Sequence, residues 1–363
     1  MRLVAVVALA ASATSCATWE FYRQAAAGQM SIQQHRQSSA GLIAAPDTSP
    51  HLRDRLVKVA ELVRFAREHL ALEPGKRYSS YVRVDGEYVV WNVFAAPEFS
   101  TAPIEWCYPI AGCATYRGYF KADAAHRYAQ GLIAGRKDTA VDGVAAYSTL
   151  GWFEDPVLST FIDWSDPALA GLIFHELAHA RVFVGGDTTF NESFASFVER
   201  RGQIAWLRSL GDDAGVARAT ARWRASDRFV AFLLVWREEL SRLYAQPFNA
   251  AALRLLKSEV FAEVERCYRA NQNVFGNQDW FFRDELNNAR LVPLAAYHEY
   301  IAGFEQLFVQ SDESWPAFYA RAGDIARLDA GARAAELQRL GHERSNADGE
   351  TNPASVRCDT LRY

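Results

Sequence analysis

Residues 172–180 read Leu-Ile-Phe-His-Glu-Leu-Ala-His-Ala, so His175 and His179 stand four positions apart with Glu176 beside the first. On a helix this spacing puts both imidazoles on one face, one turn apart, where they can share a metal ion. Imidazole nitrogen suits Zn2+, and one ion per chain is expected here. Glu176 can reach a water polarised by such an ion and act as general base while that water attacks a carbonyl. The chain holds only eight histidines in 363 residues. By chance the pattern would occur in about one chain in a hundred of this composition. Leu172, Ile173, Phe174, Leu177 and Ala178 surround the histidines with apolar side chains. The imidazoles are therefore expected to be partly buried, and buried polar groups need partners, of which a metal is one.

A catalytic zinc usually takes three protein ligands. The helix carrying the histidines is predicted over 167–184 and should stop at Gly185-Gly186. The next helix starts near Thr189, and a short turn between antiparallel helices can bring Glu192 back against the two histidines. Thr189-x-x-Glu192 is also a capping box, in which Glu192 would bind the Thr189 backbone N–H. The local pattern allows either role, and the need for a third ligand favours the ligand.

These helices need a frame. Apolar positions at Leu52, Leu56, Val59, Leu62, Val63, Ala66 and Leu70 predict a helix over 51–72. Asp85-Gly86, flanked by Tyr78–Val84 and Glu87–Phe94, predicts a β-hairpin. A helix follows around 122–134 and a strand over 139–149. From Pro167 onward the pattern is helical: 190–209, 216–245, 249–271, 279–309 and 325–341. The expected fold is α+β and predominantly helical. A small N-terminal sheet and the active-site helix pack on a C-terminal helical half, with a subdomain junction and cleft near residue 165.

Composition narrows the partners. Half the residues are hydrophobic, 13% are aromatic, and 39 basic against 43 acidic side chains give a net charge of −4. Without a basic run, no nucleic-acid partner is expected. Met1-Arg2, the uncharged Leu3–Ala11 and the small residues before Cys16 describe an export signal over 1–15. Small residues directly before a cysteine resemble the bacterial lipoprotein signal, although Ala13 stands where Leu is usual. That resemblance implies lipidation of Cys16, a tether and first helix over 16–50, and membrane attachment through the lipid. With Ala17 after the cysteine, it implies an outer-membrane location facing the periplasm. Export also means an oxidising compartment. The favoured pairing of the remaining cysteines is Cys107–Cys113 and Cys267–Cys358, although Cys267 would also suit a buried thiol.

The ligand pattern resembles the gluzincins, zinc peptidases with a downstream Glu ligand often inside Asn-Glu, here Asn191-Glu192. Thermolysin-like members carry an Asp four positions later, where this chain has Ser196. Tyr88–Glu98, Trp106–Phe120, Gly143–Phe153, Phe174–His179, Asn287-Asn288-Ala289-Arg290 and Tyr297 resemble a bacterial family of putative aminopeptidases, predicted lipoproteins of zincin-like fold. The likeness covers roughly residues 19–310, so the catalytic unit is set at 51–345, with a tail over 346–363. It implies His175, His179 and Glu192 as metal ligands, Glu176 as base and a peptide as substrate. It also implies an edge strand over 144–153 beside the active-site helix, with Trp152 and Phe153 either in a specificity pocket or in the core. By residue type, Tyr147, Tyr297 and His298 could stabilise an oxyanion. Asn287 and Arg290 could bind substrate or brace helices, and Glu98, Glu154 or Asp155 could hold a substrate amine. The competing expectations are a zinc endopeptidase and a non-catalytic zinc-binding envelope lipoprotein.

Overall fold

The computed structural model describes residues 19–108, 112–146, 154–294 and 299–348. The expected leader, Cys16, Tyr147, Trp152, Phe153, Tyr297, His298, Cys358 and the last residues of the chain lie outside them.

Two antiparallel helices build the frame of the site, α5 (Asp166–His179) and α6 (Thr188–Ser209). Ser165 precedes α5 and Pro167 sits in its first turn, where a missing N–H costs nothing. Leu169, Ala170, Ile173, Phe174, Leu177 and Ala178 are buried, so the helix is enclosed on most of its surface. The helices approach closely because glycines face the contact. A Cβ on Gly171 would stand 3.2 Å from Glu199 Oε1, and one on Gly202 only 2.8 Å from the Phe174 ring. The main core adds Leu56, Val59, Leu62 and Leu70 of α3 (Pro50–Leu70) and Phe304, Phe318 and Leu337 from the C-terminal helices. These last are α10 (Ile301–Val309), α11 (Trp315–Ala326) and α12 (Ala330–Asp348), where α12 runs into the expected tail. A second core joins the long helices α7 (Asp213–Tyr244) and α8 (Ala250–Ala270) through Phe229, Trp236, Val264 and Tyr268, closed by the short α9 (Gln272–Phe275). The chain is thus a predominantly helical α+β protein.

Among the described residues, the β strands form three small sheets. In the first, β3 (Val90–Pro97) lies between β6 (Tyr116–Tyr119) and β7 (Lys137–Val144), antiparallel to both, with Trp91 opposite Tyr119 and Gly143. In the second, β2 (Ser80–Val82) is antiparallel to β1 (Gln37–Ser38) and parallel to β8 (Val157–Leu158). The third is the ribbon of β4 (Trp106–Tyr108) and β5 (Gly112–Ala114), joined by the Cys107–Cys113 disulfide. Cys267 is also disulfide-bonded, and Cys358, its expected partner, lies outside the described residues.

Two expectations need correction. Asp85-Gly86 does turn the chain, with Gly86 at φ +111°, but the strands on either side do not pair. Tyr81 pairs with Val157 and Trp91 with Gly143, so the turn separates two sheets. The predicted helix 279–309 is broken. Short 3₁₀ turns at Asp279–Phe282 and Asn288–Leu291 precede α10, because polar side chains here bind the sheet. The Asn288 amide donates to the Pro97 and Glu98 carbonyls, and Arg290 to Asp142 at 2.6 Å. The first helix expected within residues 16–50 is present from residue 19. The first helix, α1 (19–34), buries Phe21 against Val93 and Tyr119 beside α4 (Ala122–Ala134), and buries Ile32 in the main core. The small helix α2 (Ser39–Ala44) then leads into α3.

Candidate metal centre

Helix α5 stops at His179, five residues before the expected end. The loop 180–187 starts with backbone turns onto Leu177 and Ala178, and a side chain holds its far end. Val184 N–H donates to Asn191 Oδ1, and Asn191 Nδ2 donates to the Val184 carbonyl, both at 2.8 Å. Asn191 is buried, so the Asn of the Asn-Glu pair clamps the loop that joins the two ligand helices. The N-cap of α6 is Asp187, which accepts from Phe190 N–H at 2.9 Å and is gripped by Arg333 of α12. The capping box over Thr189 and Glu192 therefore does not form. Glu192 lies beyond the capping positions and is available to the histidines.

His175, His179 and Glu192 converge. The two Nε2 atoms are 3.2 Å apart, and Glu192 Oε2 lies 3.4 Å from His175 Nε2 and 3.8 Å from His179 Nε2. Behind them, His175 Nδ1 stands 3.1 Å from Glu199 Oε2. An N–H donated there fixes the tautomer and turns the Nε2 lone pair to the centre. Glu199 lies seven positions after Glu192, two turns along the same face of α6. It supplies the carboxylate support that Ser196 cannot, and a search restricted to the fourth position after Glu192 passes over it.

The electrostatics suit a cation. Burial disfavours a charged His175, yet Glu192 and Glu199 outweigh it and hold the His175 pKa well above the usual value. Burial lowers His179 to about 4, against Glu192 and with the help of His175. Two carboxylates around two imidazoles thus stabilise one positive charge at their centre. His179 Nδ1 and Glu176 Oε2 are buried without a hydrogen-bond partner among the described residues. The donor set, one carboxylate oxygen and two imidazole nitrogens, fits a metal that accepts N and O ligands. Glu176 is not part of the set. Burial pushes its carboxyl up to about 7, with His175 pulling the other way.

The triad lies in a cleft of ≈ 690 Å³ between the first sheet and α5–α6. Val144, at the end of edge strand β7, contributes to one wall together with Ala145 and Ala146. Along α5 the cleft follows His179, Glu176, His175, Leu172 and Ala168 out to Trp164. At the His179 end the disulfide ribbon meets the ligand loop, where a Cβ on Gly112 would stand 3.2 Å from Gly186 N. Tyr116, on β6, also lines the cleft, and sequence reasoning missed it. Burial raises its phenol pKa far above the usual value, and Glu192 and Glu176 add to the shift.

Several candidate residues serve elsewhere. Glu98 pairs with Arg254, Glu154 with Lys76 and Asp155 with Arg77, and none of the three acids lines the cleft. Asn287 donates to the Thr139 carbonyl and Arg290 to Asp142, so both brace β7.

Glu199→Ala should weaken metal affinity by about 10–100-fold while leaving the fold intact. Competition with a chelator measures this, and unchanged affinity would reduce Glu199 to packing.

A two-histidine, one-glutamate cluster with a further glutamate beside it, set in a cleft, is a candidate metal site. The chain belongs to the family described as Putative aminopeptidase, whose model matches residues 20–337. No curated protein and no solved structure gives a significant match.

Proposed function

We propose that the protein is a zinc-dependent peptidase of the bacterial cell envelope that removes residues from the amino end of peptides. We place it on the outer membrane, facing the periplasm, through a lipid on Cys16. The observation that carries the reading is Glu176, a buried carboxylate beside the converging His175, His179 and Glu192 but outside their set. A site that only bound metal would have no use for it.

His175, His179 and Glu192 would hold the zinc. When bound, zinc supplies a Lewis acid that polarises the scissile carbonyl and makes water nucleophilic near neutral pH. Glu176 takes the proton of the attacking water and delivers it to the leaving amine. Tyr116 donates a hydrogen bond to the oxyanion. The Val144 end of edge strand β7 would pair with an extended substrate through backbone hydrogen bonds, with side chains directed to the cleft walls.

The cleft is lopsided, which supports action at chain ends. At the His179 end the ribbon abuts Gly186. From His179 to Ala168 the other arm runs about 16 Å at the helical rise. That is room for roughly four or five extended residues. The contact of the ribbon with the ligand loop at Gly186 supports a stop for the amino terminus on that side.

The test is a peptide library digested by a chain beginning at Ala17, loaded with zinc, beside its Glu176→Gln twin, and read by mass spectrometry. Stepwise loss of amino-terminal residues in the wild type alone is the expected result. Internal cuts would make it an endopeptidase. An uncleaved library would return the protein to the class of zinc-binding lipoproteins.

A further inference from the structure

Glu176 has two sides. One faces the cleft, and the other closes a small void also lined by Arg36, Tyr78 and Asp155. The void holds ≈ 10 Å³ of room, about what a single water requires. Its walls are mainly apolar, with polar groups from Gln29, Arg36, Tyr78, Asp155 and Glu176. Arg36 Nε and Nη2 and Glu176 Oε2 are buried with no hydrogen-bond partner among the described residues. Both residues line this one small space, and such orphans are unusual, since nearly all buried polar groups are paired.

Tyr78 adds a second, independent sign. It is buried and held at φ +62°, a left-handed conformation that a bulky side chain rarely adopts. Such backbone persists only where surrounding contacts enforce it, and it clusters at functional sites. Here Tyr78 N–H donates to the Asp155 carbonyl at 2.8 Å, and Ser39 Oγ donates to the Tyr78 carbonyl. The second sheet supplies the enforcement. Arg36 directly precedes β1, Tyr78 lies two residues before β2, and Asp155 two residues before β8. The sheet thus presents all three to the rear of Glu176. The Tyr78 phenol is near enough for Glu176 and then Asp155 to reinforce the effect of burial in raising its pKa.

We infer that Arg36, on the N-terminal segment, is a positioning residue for Glu176: it holds a buried water that donates to Glu176 Oε2, with Tyr78 closing the same site, and so aims the other carboxylate oxygen into the cleft. A water between Arg36 and Glu176 can accept from the guanidinium and donate to the carboxylate, which satisfies all three orphaned atoms. The network touches neither substrate nor metal. It also gives residues 19–50 a part in the site, because Arg36 leaves them through the turn between α1 and β1. This inference rests on Glu176 as the base of a peptidase.

The test joins kinetics to crystallography on the chain beginning at Ala17, which keeps every described residue. Arg36→Ala should lower kcat by about 10–100-fold, the usual effect of a lost supporting hydrogen bond, with KM and bound zinc unchanged. Arg36→Lys should recover part of the loss, and Tyr78→Phe should show a smaller one. A high-resolution crystal structure of the wild type should show a water bonded to Arg36 and to Glu176 Oε2. Wild-type kcat in Arg36→Ala, or a direct contact or empty space in place of that water, would overturn the inference. If Arg36→Ala fails to fold, Tyr78→Phe and the wild-type density decide. If the wild type cleaves no peptide, the peptidase reading falls, while the density still reports on the water.

Discussion

Glu176→Gln should keep one metal ion per chain and lose turnover by about 10²–10⁴-fold, the usual contribution of a general base. The amide has the shape of the carboxylate and cannot accept the proton of the attacking water. Metal should stay because the converging atoms belong to His175, His179 and Glu192. Metal analysis and single-turnover kinetics on one preparation separate the two effects. Loss of metal with activity would make Glu176 a ligand, and activity within tenfold of the wild type would put the base elsewhere. The pH profile gives a second check. The base works ionised, so kcat/KM should rise with pH through its pKa. Burial puts that pKa at about 7 in the metal-free site. A bound cation favours the carboxylate, so the ascending limb should fall at or below about pH 7 and vanish in Glu176→Gln. A limb well above pH 7 would belong to another group.

What was legible in the chain was mostly local. The i, i+4 pairing of His175 and His179 needs only a helix, and the apolar run around it signals one. The end of that helix was not legible. Gly185-Gly186 is a good stop signal, but Asn191 holds the Val184 backbone from outside the helix and lets α5 end at His179. The role of Glu192 was balanced between cap and ligand for a similar reason. Asp187 caps α6, and Arg333, 146 positions further on, holds it there. No local pattern carries that contact.

The sheets show the same limit. Asp85-Gly86 makes its turn, but which strands pair is decided by partners far along the chain, Val157 for Tyr81 and Gly143 for Trp91. Residues 16–50 read as a tether and a first helix, but their small, polar composition did not show where that helix begins. Two anchors, Phe21 and Ile32, are enough to seat α1, and too few to give a clear period. Glu199 was hidden differently. Its position two turns beyond Glu192 is a sound helical spacing, and only the geometry of His175 Nδ1 gives that spacing a meaning.

Glu192→Ala should leave the metal-free fold nearly as stable as the wild type and abolish its stabilisation by zinc. A ligand present at a thousand times its Kd stabilises the native state by about 4 kcal/mol. For a chain of this size that raises the melting temperature by several degrees. With Glu192 gone, two imidazoles remain, and at the same zinc concentration the rise should disappear. No cap is lost, because Asp187 rather than Glu192 accepts from the first turn of α6. Asp187→Ala is the contrasting case. It removes that cap, worth about 1 kcal/mol, and leaves the buried Arg333 without its carboxylate. Its metal-free melting temperature should fall, while a zinc-dependent rise persists. Scans of the wild type and both variants, with zinc and with chelator, distinguish the roles. A full zinc-dependent rise in Glu192→Ala would mean that the third ligand is another residue. A fall confined to the metal-free melting temperature would mean that Glu192 supports the helix rather than the ion.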